Sequence, residues 1–345
     1  MSLAIAFIGY GEVGQLFSRQ LASRPGVRVS VYDILFDDPK KGQDLRNRAS
    51  ETGVLAAGST ADACRGADIV ISAVTADSAI TAAAQAAPHL MPSQFYIDLN
   101  SISPATKKQV AEPVDQRGAH FVEFAVMAPV SGIGLEVPIL SGGERAEEVS
   151  ARLNDLGMKI TAVSTGIGTA SATKLCRSII IKGMEALMVD FTLAAERAGV
   201  MPAALESLKA SYPGMDWENL AKVMISRVSR HGIRRAAEMR EASRMIAELG
   251  LDSGLVGDQH GLVGALGREL HRQPDTRPGD GGAPRHLGRA VHRDPTHRAT
   301  QGTGSPPSRA VVRKASLPVG QAKPSASSPS IGSPRDPSAS RAVSS

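Results

Sequence analysis

The sequence predicts an α/β fold, an open and mostly parallel sheet, followed by an all-helical second region. Three observations carry that prediction. Short apolar runs alternate with helical stretches from Leu3 to Val163, the order that builds a parallel sheet with helices on both faces. The run Asp68-Ile69-Val70-Ile71-Ser72-Ala73-Val74 is continuously apolar at its centre, as a strand buried on both faces requires. From Thr169 to Gly199 the strand signal stops and apolar residues, among them Leu175, Ile179, Met184, Leu187, Val189, Phe191 and Ala194, recur among polar ones, which predicts one long helix.

The first strand, Leu3 to Ile8, meets Gly9-Tyr10-Gly11-Glu12-Val13-Gly14, and a helical stretch follows from Gln15 to Ser23. A second strand, Val27 to Tyr32, ends on Asp33, about twenty positions past the last glycine, as a dinucleotide fingerprint requires. Gly9 permits the tight turn, Gly11 lets the backbone approach a pyrophosphate, and Gly14 lets the helix lie close to the strand. The first helical N–H groups, at Glu12 and Val13, point at the phosphates. Asp33 accepts from both ribose hydroxyls of NAD and repels the extra phosphate of NADP unless a cation compensates. The cofactor is therefore NAD or NADP with NAD favoured, and Lys40, Lys41 and Arg46 lie too far along the chain to be assigned.

The segment to Thr52 reads as loop and helix, and Val54 to Gly58 as a short third strand. Ser59-Thr60 caps a helix reaching Arg65, and the strand Asp68 to Val74 follows. A helix from Asp77 or Ser78 to Ala87, a strand Phe95 to Asn100 and a helix opened by Ser103-Pro104 come next. His120 to Val126 and Val137 to Leu140 read as strands, Glu144 to Leu156 as a helix and Lys159 to Val163 as the last strand. Ligands bind at the carboxyl ends of such strands, which singles out Gly9 to Gly14, Asp33, Val74-Thr75, Asn100-Ser101 and Ala128 to Gly132. After the long helix come three more, Pro202 to Ser211, Asp216 to His231 and Ile233 to Leu249, the last closed by Gly250. The expected division is 1–165, 166–252 and 253–345.

The last part has a different composition. It holds 13 Lys and Arg against 6 Asp and Glu, no aromatic residue and 11 of the 21 prolines, whereas residues 1–252 hold 26 basic and 28 acidic groups. The net charge of +5 thus belongs to the tail, and gives no reason to expect nucleic-acid or membrane partners. Such a tail cannot bury enough apolar surface to fold, and its abrupt onset suggests an out-of-frame or otherwise non-native extension. Its histidines, His260, His271, His286, His292 and His297, lack metal-ligand spacing, so no metal site is expected. Cys64 and Cys176 are too few for a disulfide framework and read as small buried thiols in helices, which fits a cytoplasmic protein.

At Thr165 to Arg177 a glycine pair opens a helix with small residues before Lys174. A lysine held in a partly desolvated cleft has a pKa lowered toward the range of proton transfer; otherwise it is a solvated helix charge. Ser171, Ser178 and Lys182 share its helix face.

Together, Gly9-Tyr10-Gly11-Glu12-Val13-Gly14, Asp98-Leu99-Asn100-Ser101-Ile102-Ser103-Pro104, Ala128-Pro129-Val130-Ser131-Gly132 and Gly166-Ile167-Gly168 followed by Lys174 resemble the β-hydroxyacid dehydrogenase superfamily, which includes 3-hydroxyisobutyrate and 6-phosphogluconate dehydrogenases. The segment around Lys174 is most similar to a small 6-phosphogluconate-dehydrogenase-like branch with its own helical C-terminal domain. The resemblance implies a Rossmann-type domain, NAD(P)-dependent oxidation of a small β-hydroxy acid, and a homodimer if the helical domain is intact. Decarboxylation of a β-keto product is an optional further step. It also implies roles: Lys174 as general base, Ser131 and Gly132 on the substrate carboxylate, Ser178 and Lys182 beside the substrate, and Asn100 and Ser101 near the cofactor ribose or nicotinamide. Ser131-Gly132 also fits a turn after a strand, and Asn100-Ser101 a helix-capping loop. The chain departs from the family at Ile133, where a second glycine is usual, and at Ser178, where an Asn is usual. Arg177, Arg227, Arg230, Arg234 and Arg235 read as exposed helix charges with a phosphorylated substrate as the alternative. An imine-reductase-like enzyme and a cofactor-binding protein without turnover are the rival functions.

Overall fold

The computed structural model describes residues 2–254 and 256, so the histidines and low-complexity sequence of the tail lie outside the described residues. Eight strands, β1 (Leu3–Ile8), β2 (Val27–Tyr32), β3 (Leu55–Ala56), β4 (Ile69–Ser72), β5 (Phe95–Asp98), β6 (His120–Val126), β7 (Pro138–Gly142) and β8 (Lys159–Ser164), form one sheet. Their order is β3-β2-β1-β4-β5-β6-β7-β8. All neighbouring pairs are parallel except β6 with β7, where Glu123 faces Gly142 and Val126 faces Ile139. The order reverses direction beside β1, which pairs with both β2 and β4, and a crevice for ligands opens at such a point.

Alternate residues of each strand enter opposite cores. Ile5 and Phe7 of β1 join Ile69, Ile71, Phe95 and Ile97 in one apolar layer, while Ala6 and Ile8 join Val70 and Tyr96 in the other. The first layer is covered by α1 (Glu12–Ala22), α2 (Gly42–Glu51) and α6 (Ala146–Asn154), through Phe17, Leu21, Ala49, Val149 and Leu153. The second is covered by α3 (Thr60–Cys64), α4 (Ala79–Ala86) and α5 (Pro104–Asp115), through Ala63, Ala82, Ala83, Val110 and Val114. Burial on both faces is why these strands are apolar runs rather than alternating ones.

Among the described residues the sheet is followed by helices: α7 (Thr169–Ala198), α8 (Met201–Ser211) and α9 (Trp217–Glu248). The expected break at Gly232 is absent, and α9 runs on for 32 residues with Gly232 buried in mid-helix. A glycine weakens a helix by about 1 kcal/mol, which packing along a long seam readily outweighs. Antiparallel packing of α7 on α9 forms that seam from separate apolar clusters. Leu175 packs with Met239, Ala242 and Met245; Ala186 and Val189 with Val228; Met188 with Trp217 and Met224. Between the first two clusters lie ion pairs, Lys182 with Glu238 at 2.8 Å and Glu185 with Arg235 at 2.6 Å.

Several surface expectations need correction. Cys64 is buried as expected, but Cys176 is exposed, because it sits on α7 away from α9. Leu187, one of the apolar residues that predict the long helix, is 57% exposed for the same reason. No helix among the described residues is long and apolar enough to cross a membrane.

Candidate active site

The glycine loop leaves β1 at the reversal point of the sheet. Gly9 donates its N–H to Tyr32 O at 2.8 Å. A Cβ at Gly9 would stand 2.4 Å from Ala73 O, and one at Gly14 would stand 2.2 Å from Gly9 O. Both are shorter than any van der Waals contact, so strand, turn and helix meet this closely only with glycine at both places. Gly11 differs, since a Cβ there meets nothing within 4 Å. Its open face lies over the start of α1, which no side chain caps. Uncapped N–H groups beside open space, with Glu12 and Val13 in the first turn, suit a pyrophosphate.

Asp33 holds the next turn together. Its Oδ2 accepts from Tyr10 N at 2.6 Å and its Oδ1 from Leu35 N at 2.8 Å. Each oxygen keeps a further lone pair, so a ribose can still be received. Arg46 is engaged by neighbours of the same turn. Its guanidinium lies over the Phe36 ring at 4.9 Å and reaches Asp37 at 3.4 Å. Past β4, Val74 lies against Gly9, and Thr75 shares a 2.9 Å hydrogen bond with Ser78.

At the end of β5, Asn100 is buried and donates from Nδ2 to Asp98 Oδ2 at 2.6 Å and to Ser72 Oγ at 3.0 Å. Among the described residues, Asn100 Oδ1 and Ser101 Oγ are buried without hydrogen-bond partners. A buried acceptor and hydroxyl left unmade are costly, and a bound ribose or nicotinamide amide is the kind of group that satisfies them. The residues present therefore fit a dinucleotide at both ends.

The loop after β6 carries Ser131 and Gly132, both exposed. Gly132 has φ +82°, and a Cβ on it would meet nothing within 4 Å, so the glycine is set by backbone conformation rather than by crowding. Val130 anchors the loop in the core, and Gln20 of α1 accepts from Leu135 N at 2.9 Å. The loop is thereby fixed to the helix that starts at the glycine motif.

Lys174 sits one turn and a half into α7, partly buried. Desolvation pulls its ammonium pKa down to about 8; Glu238 opposes this, while Lys107, Lys182 and Arg234 add to it. Ser178 is buried and its Oγ accepts from Lys182 Nζ at 3.1 Å. Lys182 is itself buried and paired with Glu238, so it is not a free cation for a substrate anion. Burial pushes the Glu238 carboxyl up, but Lys182 and Lys174 outweigh it and hold the group below the ordinary carboxylate range. Arg235 is also corrected: it is 12% exposed and paired with buried Glu185, which lies 3.9 Å from Arg227 as well. Arg177, Arg230 and Arg234 are exposed, as read from the sequence.

Four acidic groups and one lysine that organise this site were missed from sequence. Glu123, fully buried on β6, caps α7: Oε1 accepts from Gly168 N at 2.6 Å and Ala170 N at 3.1 Å, and Oε2 from Ser171 N at 3.3 Å. The charge at a helix N-terminus is favourable to the dipole and fixes the turn before Lys174. Glu241 and Glu248 of α9 do the same at α5, accepting from Ser103 N at 3.0 Å and Ser103 Oγ at 2.6 Å. Glu238 and the fully buried Lys107 complete the set. The available signal was an acid inside the apolar run His120 to Val126. A surface depression of about 640 Å³ on the outer side of α5, beside Ile167, contains none of these groups.

Residues 4–165 match the NAD binding domain of 6-phosphogluconate dehydrogenase, and residues 195–269 match a domain of unknown function, DUF1932. A conserved hypothetical protein from Sinorhizobium meliloti 1021 is 41% identical, with TM-score 0.68 over 79% of this chain and 91% of that one. The conserved protein MTH1747, whose structure is described as similar to 3-hydroxyacid dehydrogenases, is 31% identical, with TM-score 0.62 over 78% of this chain and 99% of that one. The mitochondrial 3-hydroxyisobutyrate dehydrogenase of Pongo abelii is 25% identical over 284 residues, covering 78% of this chain and 80% of the relative.

Proposed function

Because the chain belongs to the β-hydroxyacid dehydrogenase superfamily, we propose that it oxidises a small β-hydroxy acid with a nicotinamide cofactor, NAD in preference to NADP, using Lys174 as general base. The single observation that carries this reading is the desolvated Lys174 amine, with its pKa near 8, on a helix fastened to the sheet by Glu123.

Gly9, Gly11, Glu12, Val13 and Gly14 would hold the pyrophosphate, Asp33 the adenosine ribose, Val74 and Thr75 the wall beside them, and Asn100 and Ser101 the nicotinamide half. When bound, an oxidised nicotinamide supplies the hydride acceptor at its C4. Lys174, in its neutral form, takes the hydroxyl proton while the substrate carbon gives up its hydride and the C–O bond becomes C=O. In reduction the charged amine returns that proton. Ser131 donates its hydroxyl and Gly132 its N–H to the substrate carboxylate, which orients the hydroxyl carbon. Ser178 and Lys182 act behind the base: Lys182 is neutralised by Glu238, so the substrate is read as carrying a single carboxylate and no phosphate. In this reading residues 1–165 bind cofactor, 166–252 complete the substrate cleft, and 253–345 take no part.

The test is a panel of short hydroxy acids assayed for cofactor reduction with the parent and with Lys174→Ala. General acid–base catalysis is worth about 10²–10⁴-fold, and a loss of that size is expected. Equal rates for parent and variant would refute the assignment.

A further inference from the structure

Lys107 lies on α5 with no exposed surface, and its Nζ donates to Asp98 Oδ1 at 2.5 Å, Asp98 O at 2.8 Å and Phe124 O at 3.5 Å. A buried carboxylate without a partner takes up a proton instead of remaining charged. Lys107 is that partner for Asp98, and a carboxylate in such an ion pair is acceptor-only. Both Asp98 oxygens are so used. Oδ1 accepts from Lys107 and from Asn100 N at 3.2 Å, and Oδ2 accepts from Asn100 Nδ2 at 2.6 Å. The second amide proton of Asn100 goes to Ser72 Oγ at 3.0 Å. With both amide protons committed, Asn100 has one group left to offer, the buried and unpartnered Oδ1.

We propose that Lys107 is a positioning residue which, through Asp98, fixes the polarity of Asn100, so that the site presents an acceptor to a hydroxyl or amide donor of the nicotinamide half of the cofactor. This rests on the cofactor reading above. A neutral partner at position 98 would let the Asn100 amide turn over and present a donor to a donor. The device thus selects the orientation of one amide by a charge buried behind it.

The polarity account predicts an unusual rescue. In Asp98→Asn, Lys107 holds the new carbonyl oxygen toward itself, so the new NH₂ faces Asn100 Nδ2 and forces that amide to turn. In Lys107→Met with Asp98→Asn, residue 98 is free to rotate, and its oxygen again faces Asn100 Nδ2, the 2.6 Å bond, giving up the longer 3.2 Å bond from Asn100 N. Binding is measured calorimetrically with NADH and, separately, with ADP, which lacks the nicotinamide half. Melting curves verify folding.

Asp98→Asn is expected to lose about tenfold in NADH affinity, as one mismatched buried hydrogen bond costs, with ADP affinity unchanged. The double variant recovers most of that loss. The proposal is overturned if folded Asp98→Asn binds NADH like the parent, if the double variant is as weak as the single, or if ADP affinity falls in step with NADH. If Asp98→Asn does not fold, the double variant is decisive alone: parent-like NADH affinity supports the proposal, and selective loss overturns it. A parent chain that binds ADP but gains nothing from the nicotinamide half would instead overturn the cofactor reading, and this proposal with it.

Discussion

Lys174 gives the most direct predictions at the scale of single residues. In the proposed mechanism its neutral form is the base, so kcat/KM for oxidation should rise as pH increases through about 8, and the rate of reduction should fall over the same window. Its folded pKa lies below the ordinary lysine value. The group therefore favours the fold only above the ordinary lysine range, and that contribution is lost as pH falls through about 8. At neutral pH the charged amine is a cost to folding. Lys174→Met should lower turnover by about 10²–10⁴-fold and leave Tm equal or higher by a few degrees, as measured by calorimetry. Cofactor choice is also set by single side chains. Asp33, Asp37 and Asp38 follow β2 while Arg46 is occupied by Asp37 and Phe36, so NAD should bind about tenfold or more tightly than NADP, roughly the effect of one unfavourable charge contact. Titration of both cofactors checks it. Thiol chemistry separates the two cysteines. Burial pushes the Cys64 thiol up to about 12 whereas Cys176 is exposed, so one thiol per native chain should react with a disulfide reagent, and two after denaturation.

At the scale of elements, legibility followed burial and periodicity. The strands and α1 to α6 were readable because burial on both faces leaves continuous apolar runs, and because Ser59 and Ser103 cap α3 and α5 with their own side chains. The single helix α9 was not, because a glycine is a local signal and the seam with α7 that overrides it is formed by residues far apart in sequence. The glycine loop, Asp33 and Lys174 were recognisable as candidates because their signals are local. Glu123 and Lys107 were invisible as site residues because their partners, the α7 N-terminus and Asp98, come within reach only through the sheet and the β5–α5 turn. Glu123→Gln tests what such a remote cap contributes. It keeps one acceptor but loses the charge shared among three N–H groups, and should cost about 2 kcal/mol in urea unfolding, the upper end for a helix cap, while lowering turnover by displacing Lys174.

For the whole molecule, the sheet holds the proposed cofactor contacts and the helical seam holds the proposed base, so ligand binding and stability should be coupled. Cofactor that binds the folded chain alone should stabilise it by about 2.7 kcal/mol at a hundredfold excess over Kd, readable as a rise in Tm that Lys174→Met retains. The homodimer expected from the sequence is carried forward as a proposal. Ile180 and Leu187 of α7 are 63% and 57% exposed, and light scattering should give twice the chain mass if that face is an interface.

The caps contributed by Glu123 on one side and by Glu241 and Glu248 on the other differ in when they become available. Glu123 precedes the N–H groups it receives by about forty-five residues, so α7 can be fastened as soon as it leaves the ribosome. Ser103, by contrast, waits for acids 138 and 145 positions downstream. The turn beside Asn100 and Ser101 is therefore finished last during synthesis. A nascent chain can assemble its sheet early, yet it gains the completed wall proposed for the nicotinamide only when α9 has emerged and docked.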